Sequence, residues 1–308
     1  MKKLINIVIP CYNEEENIEI LVDVVEKIMS KNEYDYDLIF VDNGGTDNQL
    51  NLMKKNHRKD PKHIKIVSLS RNFGYQMSIL AGLEYSKGDA VILMEADFQD
   101  PPDLISDFIK KWEEGYDVVY GKRIKRAESK LKRLFFSGFY FLVDLTSEID
   151  IPRNVGSFSL MTRRVVNEIV DMKENIRLFR GLRSWVGFKQ IGINYTREKR
   201  KFGSTKFNYI ESILLAIDGI LSFNSRLFLY VIMLGTFCVV LSFIMLGYST
   251  INEFINPTTS NWENVKFLLI INFLNIIIIL VGISGSLLER IFIEVKSRSH
   301  YFIDEIIE

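Results

Sequence analysis

The chain has 308 residues, enough to bury a full hydrophobic core and to hold more than one domain. Its 39 lysines and arginines balance 39 aspartates and glutamates, and a net charge of zero argues against a nucleic-acid binder. Two cysteines, Cys11 and Cys238, supply neither a disulfide framework nor a metal-ligand spacing.

Lys3 to Pro10 reads as a buried strand. Leu4 to Ile9 is too short for the apolar core of a secretory signal and runs into Pro10, so the amino-terminal part is expected to stay in the cytoplasm. Cys11 to Asn17 forms a loop, and an amphipathic helix follows through about Met29, with Asn13 a candidate N-cap and acidic residues in the first turn, where the helix dipole favours them. A second strand, Asp37 to Val41, ends in Asp42-Asn43-Gly44-Gly45-Thr46-Asp47. Glycines there let the backbone turn and approach a ligand, and Asp42 is placed to bond a base or ribose hydroxyl; an ordinary turn has the same composition. Ile64 to Ser68 is a third strand, and Arg71-Asn72-Phe73-Gly74 leads into a helix over 75–86.

The fourth strand ends in Glu95-Ala96-Asp97-Phe98-Gln99-Asp100-Pro101-Pro102-Asp103, where the prolines stop it. Open α/β sheets bind ligands at strand carboxyl ends, and Glu95, Asp97, Gln99 and Asp100 are hard oxygen donors suited to a divalent cation. A solvated acidic turn is the plainer reading of the same residues. Four strands alternating with helices predict a mostly parallel sheet covered on both faces. A dinucleotide fold is excluded, because no Gly-x-Gly-x-x-Gly joins the first strand to its helix. A short helix over 103–114 and a strand over 116–120 come next.

Two basic clusters adjoin apolar helices. Lys122, Arg123, Lys125, Arg126, Lys130, Lys132 and Arg133 run into the aromatic segment 134–142, part of an interfacial helix expected at about 131–146. Arg197, Lys199, Arg200, Lys201 and Lys206 precede an amphipathic juxtamembrane helix at 207–225, with apolar residues at helical spacing. Residues 227–251 and 267–288 carry no charge, and each exceeds the roughly 20 residues a helix needs to cross a bilayer. Arg226, Arg290, Lys296 and Arg298 flank this pair, which predicts both chain ends on the cytoplasmic side of the inner membrane. Gly282 and Ser286 stand four apart and permit close helix approach, a hint of a homo-oligomer. Residues 291–308 are read as a cytoplasmic tail.

The motifs Ile9-Pro10-Cys11-Tyr12-Asn13-Glu14-Glu15, Val41-Asp42-Asn43-Gly44-Gly45, Leu69-Ser70-Arg71-Asn72-Phe73-Gly74 and Glu95 to Pro102 resemble glycosyltransferase family 2. Together with Arg180-Gly181-Leu182-Arg183-Ser184-Trp185-Val186-Gly187-Phe188, they are most similar to its polyprenyl-phosphate glycosyltransferases, the group of dolichol-phosphate mannose synthase and the bactoprenol glucosyltransferases. The resemblance implies a GT-A catalytic domain at 1–206, of Rossmann-like α/β class with a mostly parallel sheet, followed by a two-helix transmembrane hairpin within 226–290. It implies inverting transfer from a nucleotide sugar, a UDP-sugar first, to a polyprenyl phosphate such as undecaprenyl phosphate. Carried over by position, Pro10, Tyr12, Glu14, Asp42 and Arg71 line the nucleotide-sugar pocket. Glu95, Asp97 and Gln99 hold Mg²⁺ or Mn²⁺, with Asp97, Gln99, Ser157 and Arg200 counted as catalytic positions. Arg123, Arg126, Arg197, Arg200 and Lys206 serve the lipid phosphate and the diphosphate.

The chain departs from the family's pattern at Asn43, Asn154 and Ser157, where acids are usual, and at Glu95, which keeps a carboxylate on a longer arm where aspartate is usual. Ser157 removes a proposed general base, yet a phosphate monoester has its second pKa near 6 and is largely ionised at neutral pH without one. Two other readings stay open: a catalytically silent membrane scaffold of the same fold, and a processive polysaccharide synthase, against which stands the missing Gln-x-x-Arg-Trp signature.

Overall fold

The computed structural model describes residues 2–124, 152, 154–174, 177–197, 237, 240, 241, 244, 245, 247, 248, 251, 255, 262–296 and 298–308. The described residues up to 197, together with Arg298–Glu308, form one compact unit, and those from 237 to 296 belong to a second.

In the first unit, strands and helices alternate as β1 (Leu4–Cys11), α1 (Glu15–Met29), β2 (Asp35–Asp42), α2 (Gln49–Lys59), β3 (Ile64–Leu69), α3 (Tyr75–Tyr85), β4 (Ala90–Leu93) and α4 (Leu104–Glu113). Then come β5 (Val118–Arg123), β6 (Val155–Thr162), α5 (Arg163–Asp171), α6 (Phe179–Trp185) and β7 (Gln190–Tyr195). A last strand, β8 (Ile303–Ile307), follows the long helix α7 (Trp262–Lys296) of the second unit. The eight strands form one sheet in the order β7-β5-β6-β4-β1-β2-β3-β8. β4, β1, β2 and β3 run parallel, as the strand-helix alternation predicts. β6 enters antiparallel between β4 and β5, and β7 lies parallel to β5.

Central strands buried on both faces need apolar side chains throughout, and Ile5, Ile7, Val8 and Ile9 of β1 and Val91, Ile92 and Leu93 of β4 supply them. One core layer packs α1 and α4 against the sheet through Ile18, Leu21, Phe108 and Ile109. The opposite layer packs α3 and α5 through Ile79, Leu83, Val165 and Ile169. α3 comes unusually close to the sheet at Gly82, where a Cβ would sit 2.3 Å from Val8 Cγ1 and 3.0 Å from Val41 Cγ2.

Two expectations are corrected here. Asn13 is not the N-cap of α1: it takes φ 54°, its Oδ1 accepts the Thr46 N–H at 2.7 Å, and Glu14 stands at the cap. The tail expected at 291–308 is divided. Its first part continues α7 to Lys296, while Ile303–Ile307 pair antiparallel with β3, so the sheet unit includes the last eleven residues.

α7 is 35 residues long, and many of its apolar side chains, among them Phe267, Ile270, Phe273, Val281 and Leu288, are exposed. Among the described residues no helix is long and apolar enough to cross a membrane. The structure therefore does not show the hairpin expected at 227–251 and 267–288. The interfacial helix at 131–146 and the juxtamembrane helix at 207–225 lie outside the described residues.

Replacing Gly82 by Ala is expected to lower folding stability by about 1–3 kcal/mol, because the added methyl has no room between α3 and β1. Urea melts of the two forms measure it.

Candidate active site

The parallel strands end together, and their carboxyl-terminal loops form the site. Pro10 and Cys11 close β1 beside Val41 and Asp42 of β2, in register. The loop after β2 is fastened to its neighbours. Gly44 takes φ +64° and lies so near the loop after β3 that a Cβ would come within 2.4 Å of the Arg71 carbonyl carbon. Asn43 Nδ2 donates to Asn72 Oδ1 at 3.1 Å, and the Phe73 N–H donates to Asn43 Oδ1 at 3.0 Å. Asn43 thus ties two loops together by donating as well as accepting, which an ionised carboxylate could not do.

Asp42 is buried and its oxygens are engaged within the protein. Oδ1 accepts from the Gly45 N–H at 3.1 Å and from Gln49 Nε2; Oδ2 accepts from Ser68 Oγ at 2.9 Å. The residue expected to line the nucleoside pocket also shapes the loop. Glu14 is partly buried, with its N–H donating to Gln49 Oε1 at 2.9 Å and its Oε2 accepting from Asn17 at 2.7 Å. Tyr12, two residues before it, is partly buried. Arg71 is exposed, its guanidinium 4.1 Å from the centre of the Phe73 ring.

Beyond β4 the backbone turns at Phe98, a buried bulky residue at φ 57°. Such a conformation costs on the order of 1–3 kcal/mol and is held only where the surroundings enforce it. Asp97 braces the turn by accepting the Gln99 N–H at 3.0 Å. Glu95, Asp97 and Asp100 lie close enough to repel one another. Burial first, then the charges of Asp100 and Asp97, push Glu95 from its ordinary value near 4.5 up to about 7, against the pull of Arg197 and Arg123.

Those two arginines meet the acidic tip directly. Arg123 Nη2 is 3.3 Å from Asp100 Oδ1; Arg197 bridges, with Nη2 3.5 Å from Glu95 Oε2 and Nε 3.7 Å from Asp100 Oδ1. Tyr195 completes the cluster: its hydroxyl donates to Asp100 Oδ1 and accepts from Arg123 Nε at 2.9 Å. Glycine makes the space for it. A Cβ on Gly156 would lie 2.6 Å from Arg123 Nη2, and one on Gly121 2.7 Å from the Tyr195 ring. From the other side Tyr75 reaches Glu95 Oε1 at 3.3 Å, and its hydroxyl also bonds Ser157.

The structure thus brings together Glu95, Asp97, Ser157, Arg123 and Arg197. Gln99 stands two residues after Asp97 and gives its N–H to that carboxylate, but among the described residues no three acidic, histidine or cysteine side chains converge to hold a metal. Arg126, Arg200 and Lys206 lie outside the described residues. Asp100, read from sequence as an oxygen donor for a cation, meets arginines and a tyrosine here, and Tyr195 and Tyr75 carry the cluster without having been assigned to it from sequence. Tyr195 was marked only by Gly121, on a strand whose pairing sequence does not display, and Tyr75 only by its place directly after the Arg71–Gly74 motif.

The glycosyl transferase family 2 profile matches residues 6–170. The chain belongs to that family. It is similar to an uncharacterized glycosyltransferase, YkcC, of Bacillus subtilis, 36% identical over 97% of this chain and 93% of that one. A prophage-derived bactoprenol glucosyl transferase of Shigella flexneri is 34% identical over 97% of each chain, and a prophage bactoprenol glucosyl transferase homolog of Escherichia coli is 33% identical over 98% and 99%. Among solved structures, mannosyl-3-phosphoglycerate synthase from Rubrobacter xylanophilus covers 71% of this chain and 72% of that one at 14% identity and a TM-score of 0.47, too distant to bear on the chemistry. This family 2 member is a glycosyltransferase, and its sheet is of the GT-A type.

The raised Glu95 carboxyl gives a signed test. Its proton stabilises the folded state below about pH 4.5, and that contribution is lost as pH rises through about 7. Glu95→Gln should therefore raise the melting temperature of the ligand-free protein at pH 8 more than at pH 5, read by calorimetric scans across pH.

Proposed function

We propose that this glycosyltransferase moves a sugar, with inversion, from a nucleoside diphosphate sugar, a UDP-sugar first, to undecaprenyl or a similar polyprenyl phosphate. The observation that carries the reading is the meeting of Arg123 and Arg197 with Glu95 and Asp100 at the carboxyl end of β4. Cations for two phosphorylated substrates and carboxylates for a divalent ion lie within one hydrogen-bonded cluster. The bactoprenol glucosyl transferases named above support the acceptor class.

Mg²⁺ or Mn²⁺ suits the donor set: two carboxylates, Glu95 and Asp97, with the Gln99 amide. Mg²⁺ is commonly bound by one or two carboxylates completed by substrate phosphates, with no all-protein cage. Burial first and then the charges of Asp100 and Asp97 raise Glu95, and a dication would relieve that repulsion. Such an ion, when bound, neutralises charge on the departing diphosphate.

The acceptor phosphate oxygen attacks the anomeric carbon; the new oxygen–carbon bond forms as the bond from that carbon to the diphosphate breaks, and the nucleoside diphosphate leaves with the electron pair. Because the acceptor is already ionised, Ser157 need take no proton. Arg123, fixed by Asp100 and Tyr195, and Arg197 hold phosphate oxygens in line and screen their charge. Ser157 joins through Tyr75 to Glu95 and so helps orient it.

The site works at the cytoplasmic face of the inner membrane on this reading. Residues 267–288 are 22 uncharged positions on a helical backbone, about 33 Å at 1.5 Å per residue. α7 includes side chains outside the described set, and the bilayer reading rests on the full sequence of this segment. Because Arg298–Glu308 belong to the sheet unit, a crossing by α7 requires a second crossing between 198 and 261, which supports a hairpin.

Purified protein with undecaprenyl phosphate, Mn²⁺ and a panel of nucleotide sugars should give a glycolipid with at least one donor, and Asp97→Ala should cut turnover at least about a hundredfold. No glycolipid from any donor removes the proposal. Reporters fused at the two chain ends should register the same side of the membrane; opposite sides would exclude the hairpin.

A further inference from the structure

The last eleven residues join the sheet beside the loop that the family motifs place at the donor. β8 pairs with β3 as Ile66 to Ile307, Val67 to Ile306, Ser68 to Glu305 and Leu69 to Ile303, with a register shift between Ser68 and Leu69. Covering an exposed edge requires only a strand, and contacts confined to the ladder would mean no more than that. The contacts run past it. The Ser70 N–H donates to the Phe302 carbonyl at 3.0 Å, the Phe302 and Phe73 ring centres are 6.1 Å apart, and the Tyr301 hydroxyl bonds Glu84 on α3. The register shift falls beside Ser68, whose hydroxyl holds Asp42. Irregularities of this kind re-aim side chains near active sites.

From Phe73 the contacts divide. Its N–H is held by Asn43 of the loop after β2, its ring carries the Arg71 guanidinium, and two residues on, Tyr75 touches Glu95. Phe302 is 60% exposed, so little folding energy is stored in its ring. An edge-tilted aromatic pair nonetheless fixes geometry.

We infer that the carboxyl-terminal segment Tyr301–Ile307 is a positioning element of the donor site, with Phe302 holding the Phe73 ring so that Arg71, on the loop that Asn43 ties down, meets the nucleoside diphosphate preset. The inference rests on the reading of these loops as the donor pocket. Phe302 acts through Phe73 and touches no substrate, so its removal weakens donor binding and leaves the chemical step alone.

The test titrates UDP, in the presence of Mn²⁺, into the full-length protein and its Phe302→Ala and Phe302→Tyr variants, alongside melting temperatures. The inference expects Phe302→Ala to weaken UDP about fivefold while Phe302→Tyr binds like the parent, an effect of the size an aromatic pair carries. Tyr301→Phe, which loses the bond to Glu84, should weaken UDP in the same direction with its backbone ladder intact. Unchanged UDP affinity in both Phe302→Ala and Tyr301→Phe, even with lowered melting temperatures, leaves the segment a structural edge and overturns the inference. If the parent binds neither UDP nor GDP, the donor-pocket reading falls and takes the inference with it.

Discussion

Carboxylates at the buried end of a central strand cannot stand as bare charges. Removing an ionised group from water without a partner costs several kcal/mol, and three acids in one turn compound it. The polypeptide meets this constraint by bringing cations from the far side of the sheet. Arg123 ends β5 and Arg197 follows β7, so the compensation of an acidic turn after β4 depends on β6 entering antiparallel and setting β5 and β7 beyond it. Asp100 is satisfied by two arginines and a tyrosine. Glu95 is satisfied only in part, and its elevated pKa records the remainder. A site left short of positive charge attracts a cation, and one already holding arginines attracts phosphate; the two properties are one arrangement.

The same arrangement makes sense of the missing acid at position 157. A third carboxylate near Glu95 would add to the burial and to the charges of Asp100 and Asp97 that already push that group up to about 7. Serine instead bonds Tyr75 and through it steadies Glu95 without charge. Asn43 follows similar logic in the neighbouring loop: its amide donates to Asn72 and accepts from Phe73, two bonds that aspartate could not both make when ionised. The departures from the family's usual acids thus coincide with neutral hydrogen bonding inside the site.

How much of this was legible beforehand follows from the range of each interaction. The strands of the parallel half announce themselves by continuous apolar runs, and their tips by glycine, proline and acids, all local signals. The family motifs located the acidic turn and the two nearest loops. Asp42 was read for the nucleoside alone, because nothing nearby in sequence tells that Gln49 and Ser68 also bond its oxygens. Arg123 and Arg197 were read as phosphate ligands without their carboxylate partners, since the pairing spans the sheet. β8 was missed altogether: Ile303-Asp304-Glu305-Ile306-Ile307 is short and acidic, and edge strands carry charge where a central strand would be apolar.

That charge is itself selective. Glu305 meets Lys54 of α2, and Glu308 lies 3.4 Å from Lys87, so the terminal strand is addressed to one edge of the sheet by ion pairs at its middle and just past its carboxyl end. Exposed pairs of this kind contribute little to stability, on the order of 1 kcal/mol or less each. Their use lies in register. A slip of one residue would turn Ile303 and Ile307 outward and carry Phe302 away from Phe73, so weak charges along the edge strand fix the placement of the Phe302 ring. A chain that leaves the sheet after β7 and returns to its opposite edge some hundred residues later needs such an address, because nothing along the intervening sequence measures where the strand must land.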